Sequence, residues 1–270
     1  MSTPPRIGLV LSAGGLRGAA HLGVLQRLAA AGVQLDSIVG VSAGAIVAAY
    51  YAAVGVTIDD LIADAKVFRG RHVVAHSLSL RSYRWLRWIF DPFAGVIPQR
   101  LRQLRSAQFD ELHHGMGAIG VVCHDLTHNC PRYLATGAHD TVSLYDAVAT
   151  SASVPSMFPP RPIVFEGQQC EFTDGGLSDA LPIEFARSPA IGATHVIVSD
   201  CRSRGERPKD AEHPNCVYVR PNLKGTAVLR APRASLLLAV EAGEAAMTTR
   251  AIEQIRKWGT PTSEHRQAPV

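Results

Sequence analysis

The pentapeptide Gly40-Val41-Ser42-Ala43-Gly44 joins an apolar run at 35–41 to a segment rich in helix formers at 43–53. Glycines two positions before and two positions after the serine permit a sharp strand-to-helix turn, because no Cβ atoms collide there. Such a turn lifts the serine hydroxyl above the end of a sheet, where a carbonyl can reach it. The pattern predicts a βα unit that presents Ser42. The same motif also fits a tight turn whose serine has no catalytic role.

A second βα unit precedes this turn. Residues 7–11 are continuously apolar, residues 12–18 are rich in glycine, and residues 19–31 are rich in Ala and Leu and end at Gly32. Continuous apolar strands that alternate with helices are typical of parallel sheets covered on both faces. The opening of the chain therefore predicts an α/β fold.

The remaining sequence predicts one domain over residues 1–270, because no linker-like stretch interrupts it. We expect strands at 117–123, 132–134, 193–200 and 216–219, helices at 143–151 and 233–258, irregular chain at 154–160 and a hairpin at 162–172. Aromatic and arginine side chains interleave from 81 to 105, which predicts a cap-like insertion at about 77–112. The tail after Gly259, at 259–270, is expected to be flexible.

Composition excludes several classes of protein. A net charge of +4 is too small to require nucleic acid, so no nucleic-acid partner is expected. Five scattered cysteines in a chain of 270 residues favour a reducing compartment. The sequence holds no apolar run of the ~18 residues that a membrane span needs and no signal-peptide pattern at its start. We therefore expect a cytoplasmic location, with peripheral contact at the inner membrane face left open.

The glycine-rich loop at 12–18 can serve two kinds of ligand. Backbone N–H groups at the amino end of a helix stabilise an oxyanion, and they stabilise a phosphate equally well. A dinucleotide motif would require glycine at Ala13 and an acidic residue about 20 positions later, where the serine turn stands instead. No Gly-Lys-Ser or Gly-Lys-Thr occurs for a P-loop. The loop favours an oxyanion site over a nucleotide site.

A nucleophilic serine needs a general base. His195 lies within an apolar strand pattern, and His213 and His265 lie in polar loop or tail sequence, so a histidine base has no support. Asp174-Gly175-Gly176 places an acid at the end of a predicted strand, with a backbone that two glycines make adaptable. Asp-Gly is also ordinary turn chemistry, so this motif alone leaves both interpretations open.

Four sequence blocks occur in the order typical of one known family. They are Leu11–Leu25, Gly40–Ile46, Ala152–Pro155 with Phe158–Pro160, and Asp174–Leu177 with Leu181–Ile183. Together they resemble the patatin-like phospholipase family over about two thirds of the chain. The resemblance implies a three-layer α/β/α fold with a mostly parallel sheet, related to the catalytic domain of cytosolic phospholipase A2. It also implies a hydrolase of lipid acyl esters that needs no metal or cofactor.

The resemblance further implies individual roles. Ser42 would be the nucleophile that forms an acyl-enzyme, and Asp174 would be the base that also activates water. Other residues would form the oxyanion hole or allow its turns: the backbone of Gly14, Gly15 and Leu16 with Arg17 in support, and the motif glycines Gly18, Gly40, Gly44, Gly175 and Gly176. Ala13 departs from the family, many members of which have glycine there; a positive φ would strain it, and we expect the alanine to be accommodated.

Two alternatives from other classes remain. A protein that binds a nucleotide or phosphate would use the same glycine loop without chemistry. A membrane-associated regulatory protein with a vestigial site would use the aromatic and arginine segment at 81–105, which could instead pack as a cap over the site or do both. An intact Ser42 and Asp174 favour the enzyme.

Other polar residues receive structural interpretations. Cys123, His124, Asp125, His128 and Cys130 resemble a metal cluster, but strand alternation turns His124 away from its neighbours and the spacing fits no common zinc pattern, so no metal is expected. His21 is expected to pack or to brace the glycine loop. Asp179 is expected to cap a helix at Leu181-Pro182.

Overall fold

The computed structural model describes residues 4–81, 91–137, 142–155, 157–224 and 236–258. The strands are β1 Ile7–Leu11, β2 Ser37–Val41, β3 Ala118–Asp125, β4 Cys130–Ala135, β5 Arg161–Phe165, β6 Gln168–Asp174, β7 His195–Ser199 and β8 Cys216–Val219. The helices are α1 Ala20–Ala30, α2 Ala43–Ala52, α3 Ile58–Val67, α4 Gly70–Arg81, α5 Ile97–Ser106, α6 Leu144–Ser151, α7 Ile183–Arg187, α8 Leu236–Ala246 and α9 Thr249–Trp258. Short 3-10 turns lie at Gly15–Ala19, Asp91–Ala94, Gly175–Leu177 and Lys209–Glu212.

The strands of the described residues form one mixed sheet in the order β5-β6-β3-β2-β1-β7-β8, with β4 paired to β3. The five strands from β3 to β8 in this order are parallel to one another, and β4, β5 and β6 join by antiparallel pairing. The sheet is therefore mostly parallel, as the sequence predicts.

Alternate residues of the central strands enter two different cores. Leu9 and Leu11 face a large core that is filled by side chains from α1, α2, α6 and α9. Val10 faces a smaller core, on the opposite side, which is covered by α7. Burial on both sides explains why β1 is apolar throughout and why β2 is apolar from Ile38 to Val41. The result is three layers with unequal helical coverage.

The pairing around β3 brings two distant parts of the chain together. β4 occupies one side of β3, so β2 and β6 must share the other side. Val41, the last residue of β2, pairs with Val122, and Asp174, the last residue of β6, pairs with the next residue, Cys123. The end of β6 therefore faces the residue that follows β2, which is Ser42.

Most predicted elements are confirmed, including the strands, the helix at 143–151, which Ser143 caps, and the hairpin at 162–172. The single helix predicted at 233–258 is wrong. α8 ends at Ala246, and the hydroxyl of Thr248 accepts the N–H of Ala251 at 3.3 Å, so a threonine cap starts a separate helix.

The cap-like insertion and the tail are covered only in part. Helix α4 already begins at Gly70, ahead of the predicted start at 77, while residues 82–90 and the tail 259–270 lie outside the described residues. The single-domain organisation stays a prediction. No helix in the described ranges has the length and apolar character that crossing a membrane would take.

Helices α1 and α8 cross at two glycines. A Cβ on Gly23 would overlap the carbonyl of Val240, and a Cβ on Gly243 would overlap the carbonyl of Ala20. The backbones touch directly at this crossing, so neither position has room for a side chain. This contact holds α8 against the helix that follows the glycine loop.

Gly23→Ala should destabilise the protein, although alanine normally stabilises a helix interior by about 1 kcal/mol over glycine. The overlap with α8 should outweigh that gain by about 1–3 kcal/mol, measured by chemical denaturation. Gly117→Ala is the matched control, because a Cβ there meets only Asp36 O at 3.5 Å. Equal or greater stability of Gly23→Ala would show that the helices do not meet as described.

Candidate active site

Ser42 occupies the turn between β2 and α2 in a strained conformation. Its φ of 56° and ψ of −121° are unusual for a residue with a side chain and cost on the order of 1–3 kcal/mol. A Cβ on Gly40 would overlap Gly44, and a Cβ on Gly44 would overlap the carbonyl of Leu11. Both glycines are thus required by close backbone packing, as the motif predicts.

The hydroxyl of Ser42 donates a hydrogen bond to Asp174. The distance between Ser42 Oγ and Asp174 Oδ2 is 2.7 Å, and each residue is 5% exposed. The other carboxylate oxygen, Oδ1, accepts the backbone N–H of Gly176 at 2.8 Å. The sheet register thus joins two residues 132 positions apart into a buried serine–carboxylate pair.

Burial determines the acidity of Asp174. Desolvation raises the pKa of its carboxyl to about 6, against the opposing hydrogen bonds from Ser42 and from the N–H of Gly176. A carboxylate with a pKa near neutrality is a stronger proton acceptor than an exposed one, yet it is still ionised at pH 7. The site therefore holds a base adjacent to a hydroxyl.

Ser151, at the end of α6, also contacts the turn. Its Oγ accepts the backbone N–H of Ser42 at 2.9 Å and donates to the carbonyl of Val122 at 2.6 Å. It joins the strained turn to β3, fully buried. Ser151 could not be predicted from the sequence, because a serine near a helix end carries no sign of its tertiary partner. Its only signal is its position directly before the Ala152–Pro155 block.

The glycine loop follows β1 and lies beside the turn. Gly15 has a φ of 54°, and a Cβ on Gly18 would overlap the Cβ of Ala43, so the loop packs against the start of α2. Within the described residues, the N–H groups of Gly14, Gly15 and Leu16 have no hydrogen-bond acceptor. Free donors at the start of a helix are what an oxyanion requires.

Ala13 fits the loop without strain. It is absent from the positive-φ residues that the structure describes, and its N–H donates to the carbonyl of Ala180 at 3.0 Å. Its Cβ lies 3.2 Å from where a Cβ on Gly176 would stand. The glycine loop and the Asp174-Gly175-Gly176 turn are thus in close contact, and the alanine is accommodated as expected.

The side chains of Arg17 and His21 form hydrogen bonds at the glycine loop. Arg17 Nε donates to the carbonyl of Cys201 at 3.1 Å. His21 is fully buried, and its Nε2 lies 3.0 Å from the carbonyl of Ser12, while Nδ1 lies 2.8 Å from Ser199 Oγ. Because a carbonyl only accepts, Nε2 carries the proton.

Burial keeps His21 uncharged. Desolvation lowers the pKa of its imidazole to about 4, so the ring is neutral at pH 7 and holds one tautomer between Ser12 and Ser199. Its contact with Ser12, the first residue of the loop, is the bracing contact that is predicted from the sequence.

The turn after Asp174 is fixed by side chains of β3 and β4. His124 Nδ1 is hydrogen-bonded to Ser178 Oγ. Tyr133 donates its hydroxyl to Asp179 at 3.1 Å, and Asp179 also accepts the N–H of Leu181 at 3.2 Å. The predicted helix cap at Asp179 is wrong, because α7 begins only at Ile183 and its cap residue is Pro182. Asp179 closes a turn ahead of the helix instead.

The structure places two of the other histidines, His195 and His213, away from Ser42 Oγ. His195 is the first residue of β7, at the end of the strand remote from Ser199, and its ring contacts Trp258. His213 lies in the loop before β8, and His265 lies outside the described residues. In the described chain, the hydrogen-bond partner of the Ser42 hydroxyl is a carboxylate.

The cluster weighed as a metal site is only partly assembled. Asp125 and His128 come together with Cys170, rather than with Cys123 or Cys130, and their ligand atoms lie within 4.8 Å of one another. The Asp125 carboxylate is already bound by Arg132, at 2.8 Å, and by His128. These contacts lower the pKa of Asp125 against the effect of its burial. A guanidinium in this position disfavours a cation, and the absence of a metal stays a prediction.

Ser151→Ala should slow the reaction of Ser42 with a soluble fluorophosphonate. The N–H of Ser42 would lose its buried acceptor, which costs about 1–3 kcal/mol and loosens the turn. We expect a fall of about 10-fold or more in the second-order labelling rate. Ser153→Ala is the matched control, because that buried hydroxyl bonds only the carbonyl of Ala149, at 2.7 Å. Equal rates in the two variants, both folded by circular dichroism, would remove Ser151 from the site.

Comparisons with known proteins relate this chain to one family. The Patatin-like phospholipase family model matches residues 9–187. The chain is similar to an uncharacterised NTE family protein of Mycobacterium tuberculosis, at 32% identity over 206 residues, which cover 73% of this chain and 30% of that protein. The chain thus spans less than a third of that relative's length.

Two solved structures share the fold. VipD from Legionella pneumophila matches with a TM-score of 0.54 and 14% identity, over 95% of this chain and 68% of that chain. Human GIVD cytosolic phospholipase A2, in complex with methyl gamma-linolenyl fluorophosphonate, matches with a TM-score of 0.54 and 12% identity. The match covers 94% of this chain and 59% of that chain. The predicted three-layer α/β/α fold is confirmed. The chain belongs to the patatin-like phospholipase family.

Proposed function

We propose that this chain is a carboxylic ester hydrolase that cleaves acyl esters of lipids, with Ser42 as the nucleophile and Asp174 as the base. The observation that carries the proposal is the 2.7 Å hydrogen bond from Ser42 Oγ to Asp174, made on a strained turn beside three free backbone N–H groups. A nucleophile, a base and oxyanion donors are the three parts that acyl transfer needs.

Acylation begins with proton transfer to the carboxylate. Asp174 takes the hydroxyl proton as Ser42 Oγ bonds to the acyl carbon, and the carbonyl oxygen becomes an oxyanion. The N–H groups of Gly14, Gly15 and Leu16 stabilise this charge as it develops. Losing one such donor costs about 3 kcal/mol in comparable enzymes, so the loop should matter almost as much as the Ser42–Asp174 pair.

Collapse of the tetrahedral intermediate completes the first half. The bond from carbon to the leaving oxygen breaks, protonated Asp174 returns its proton to the leaving alcohol, and an acyl-serine remains. Asp174 then takes a proton from water, whose oxygen attacks the acyl carbon and releases the fatty acid as Ser42 regains its hydrogen. One carboxylate serves both halves.

An apolar substrate suits the surroundings of the pair. Leu177, two residues after Gly175 in the turn beside Asp174, is 56% exposed, and Ile46, in the first turn of α2, is also exposed. Exposed side chains of this kind near a reactive centre support contact with acyl chains. Family membership supports the same substrate class.

Turnover of p-nitrophenyl esters of several chain lengths, together with fluorophosphonate labelling, tests the proposal. Wild type should hydrolyse the esters and label once. Ser42→Ala should do neither, and Asp174→Asn should lose at least about 1,000-fold in kcat, since it cannot accept the proton. Arg204→Glu, on an exposed loop position, is the control for a surface change and should retain full activity.

Two outcomes would overturn the assignment. A folded wild type that neither labels nor turns over any ester is not this enzyme. Full activity in Asp174→Asn would instead require a different base. A protein that merely binds a phosphate would retain its affinity in Ser42→Ala and show no ester turnover in any variant.

A further inference from the structure

The positive charge of this chain is concentrated in one segment. Residues 66–90 contain six basic side chains and no acidic one, whereas the whole chain has 27 Lys and Arg against 23 Asp and Glu. The rest of the chain therefore carries 21 basic and 23 acidic side chains and is slightly negative. The six basic residues are Lys66, Arg69, Arg71, Arg81, Arg84 and Arg87.

Helix α4 lies within this segment and exposes apolar side chains. Arg71, Val74 and Leu78 are spaced i, i+3 and i+7, so they fall on one stripe of the helix, and all three are exposed. We call these three residues the outer stripe of α4. A basic and apolar stripe on a helix surface is the pattern of a helix that lies in a membrane interface.

A second apolar group stands beside α4. Phe93, in the 3-10 turn at Asp91–Ala94, is 68% exposed, the highest value among the large apolar side chains described as exposed. The following turn packs on α4, because a Cβ on Gly95 would touch the ring of His72. The exposed phenylalanine is thus held next to the helix.

Ser77 and His76 of α4 contact a loop that is connected to the candidate site. The buried Ser77 donates its hydroxyl to the carbonyl of Met157, and the ring of His76 lies 6.1 Å from that of Phe158. The loop that carries these two residues follows α6. At the start of this loop, the carbonyl of Ser153 accepts a hydrogen bond from the hydroxyl of Thr173, the residue before Asp174, at 2.9 Å. Helix α4 therefore contacts the same loop that is hydrogen-bonded to β6 beside Asp174.

We propose that the outer stripe of α4, with Phe93 beside it, docks on an anionic lipid bilayer and holds the site against the lipid surface. The positive charge of the exposed Arg71 matches anionic headgroups, and the exposed side chains of Val74, Leu78 and Phe93 enter the interface. The proposal places the contact on α4 and Phe93, which partly overlap the predicted membrane contact at 81–105; residues 82–90 of that range lie outside the described residues. The claim that docking brings the site to its substrate rests on the proposed function. The docking itself does not depend on that function.

Vesicle flotation with the full chain carrying Ser42→Ala separates binding from hydrolysis. Vesicles of phosphatidylcholine with about one third phosphatidylglycerol should bind the protein at least about 10-fold more tightly than pure phosphatidylcholine, and added salt should weaken the binding. Arg71→Glu should reduce the affinity about 10-fold or more, because it reverses one charge on the docking stripe. Phe93→Ser should reduce it about 5-fold.

Matched controls isolate the location from the chemistry. Arg204→Glu makes the same charge change at another exposed position, and Leu238→Ser removes another apolar side chain that is 64% exposed. Both should change vesicle affinity less than about 2-fold. Equal losses in Arg71→Glu and Arg204→Glu would overturn the proposal, because net charge alone would then explain binding.

Four further results would also decide the matter. Failure to bind anionic vesicles would overturn the docking, as would binding of a soluble polyanion such as transfer RNA in preference to vesicles. Vesicle binding in a protein that hydrolyses no soluble ester would support the docking while the proposed function fails. Ester turnover without vesicle binding would do the reverse.

Discussion

The position of β6 on the edge of β3 determines the site. β2 ends at Val41, and β6 takes over the same side of β3 at the next residue in register, Cys123. This succession points Asp174 at Ser42 and leaves the pair buried, so a one-residue change of register would turn the carboxylate to the other face. The glycine loop, the turn after Asp174 and the serine of α6 all contact this junction.

The site contains two energetically unfavourable features, which the surrounding residues hold in place. Ser42 holds a positive φ, and Asp174 holds a carboxylate whose burial opposes its charge. The hydrogen bonds from Ser42 and Gly176 offset part of the cost of that charge, and Ser151 fixes the backbone of the turn. Strain and raised basicity of this kind are characteristic of functional sites, since neither improves stability.

Local chemistry made much of this structure predictable. Glycines at 40 and 44 and the apolar runs of β1 and β2 act through their own backbone neighbours, so their patterns indicate the turn and the strands directly. The family resemblance supplied the pairing of Ser42 with Asp174. Ser151 acts through a partner 109 positions away, and no local pattern reveals such a contact. The break between α8 and α9 was not predicted, because the cap at Thr248 lies inside a continuous helical pattern.

The pH dependence of Ser42 reactivity tests most directly whether Asp174 is its base. Burial raises the pKa of Asp174 to about 6, and only the ionised carboxylate accepts the serine proton. The labelling rate with a soluble fluorophosphonate should be constant from about pH 7 to 9 and fall about 10-fold per unit below pH 6. Asp174→Asn should abolish this fall at acid pH together with most of the labelling rate. A rate that stays constant down to pH 5 in a folded protein, or an acid limb that persists in Asp174→Asn, would contradict the account.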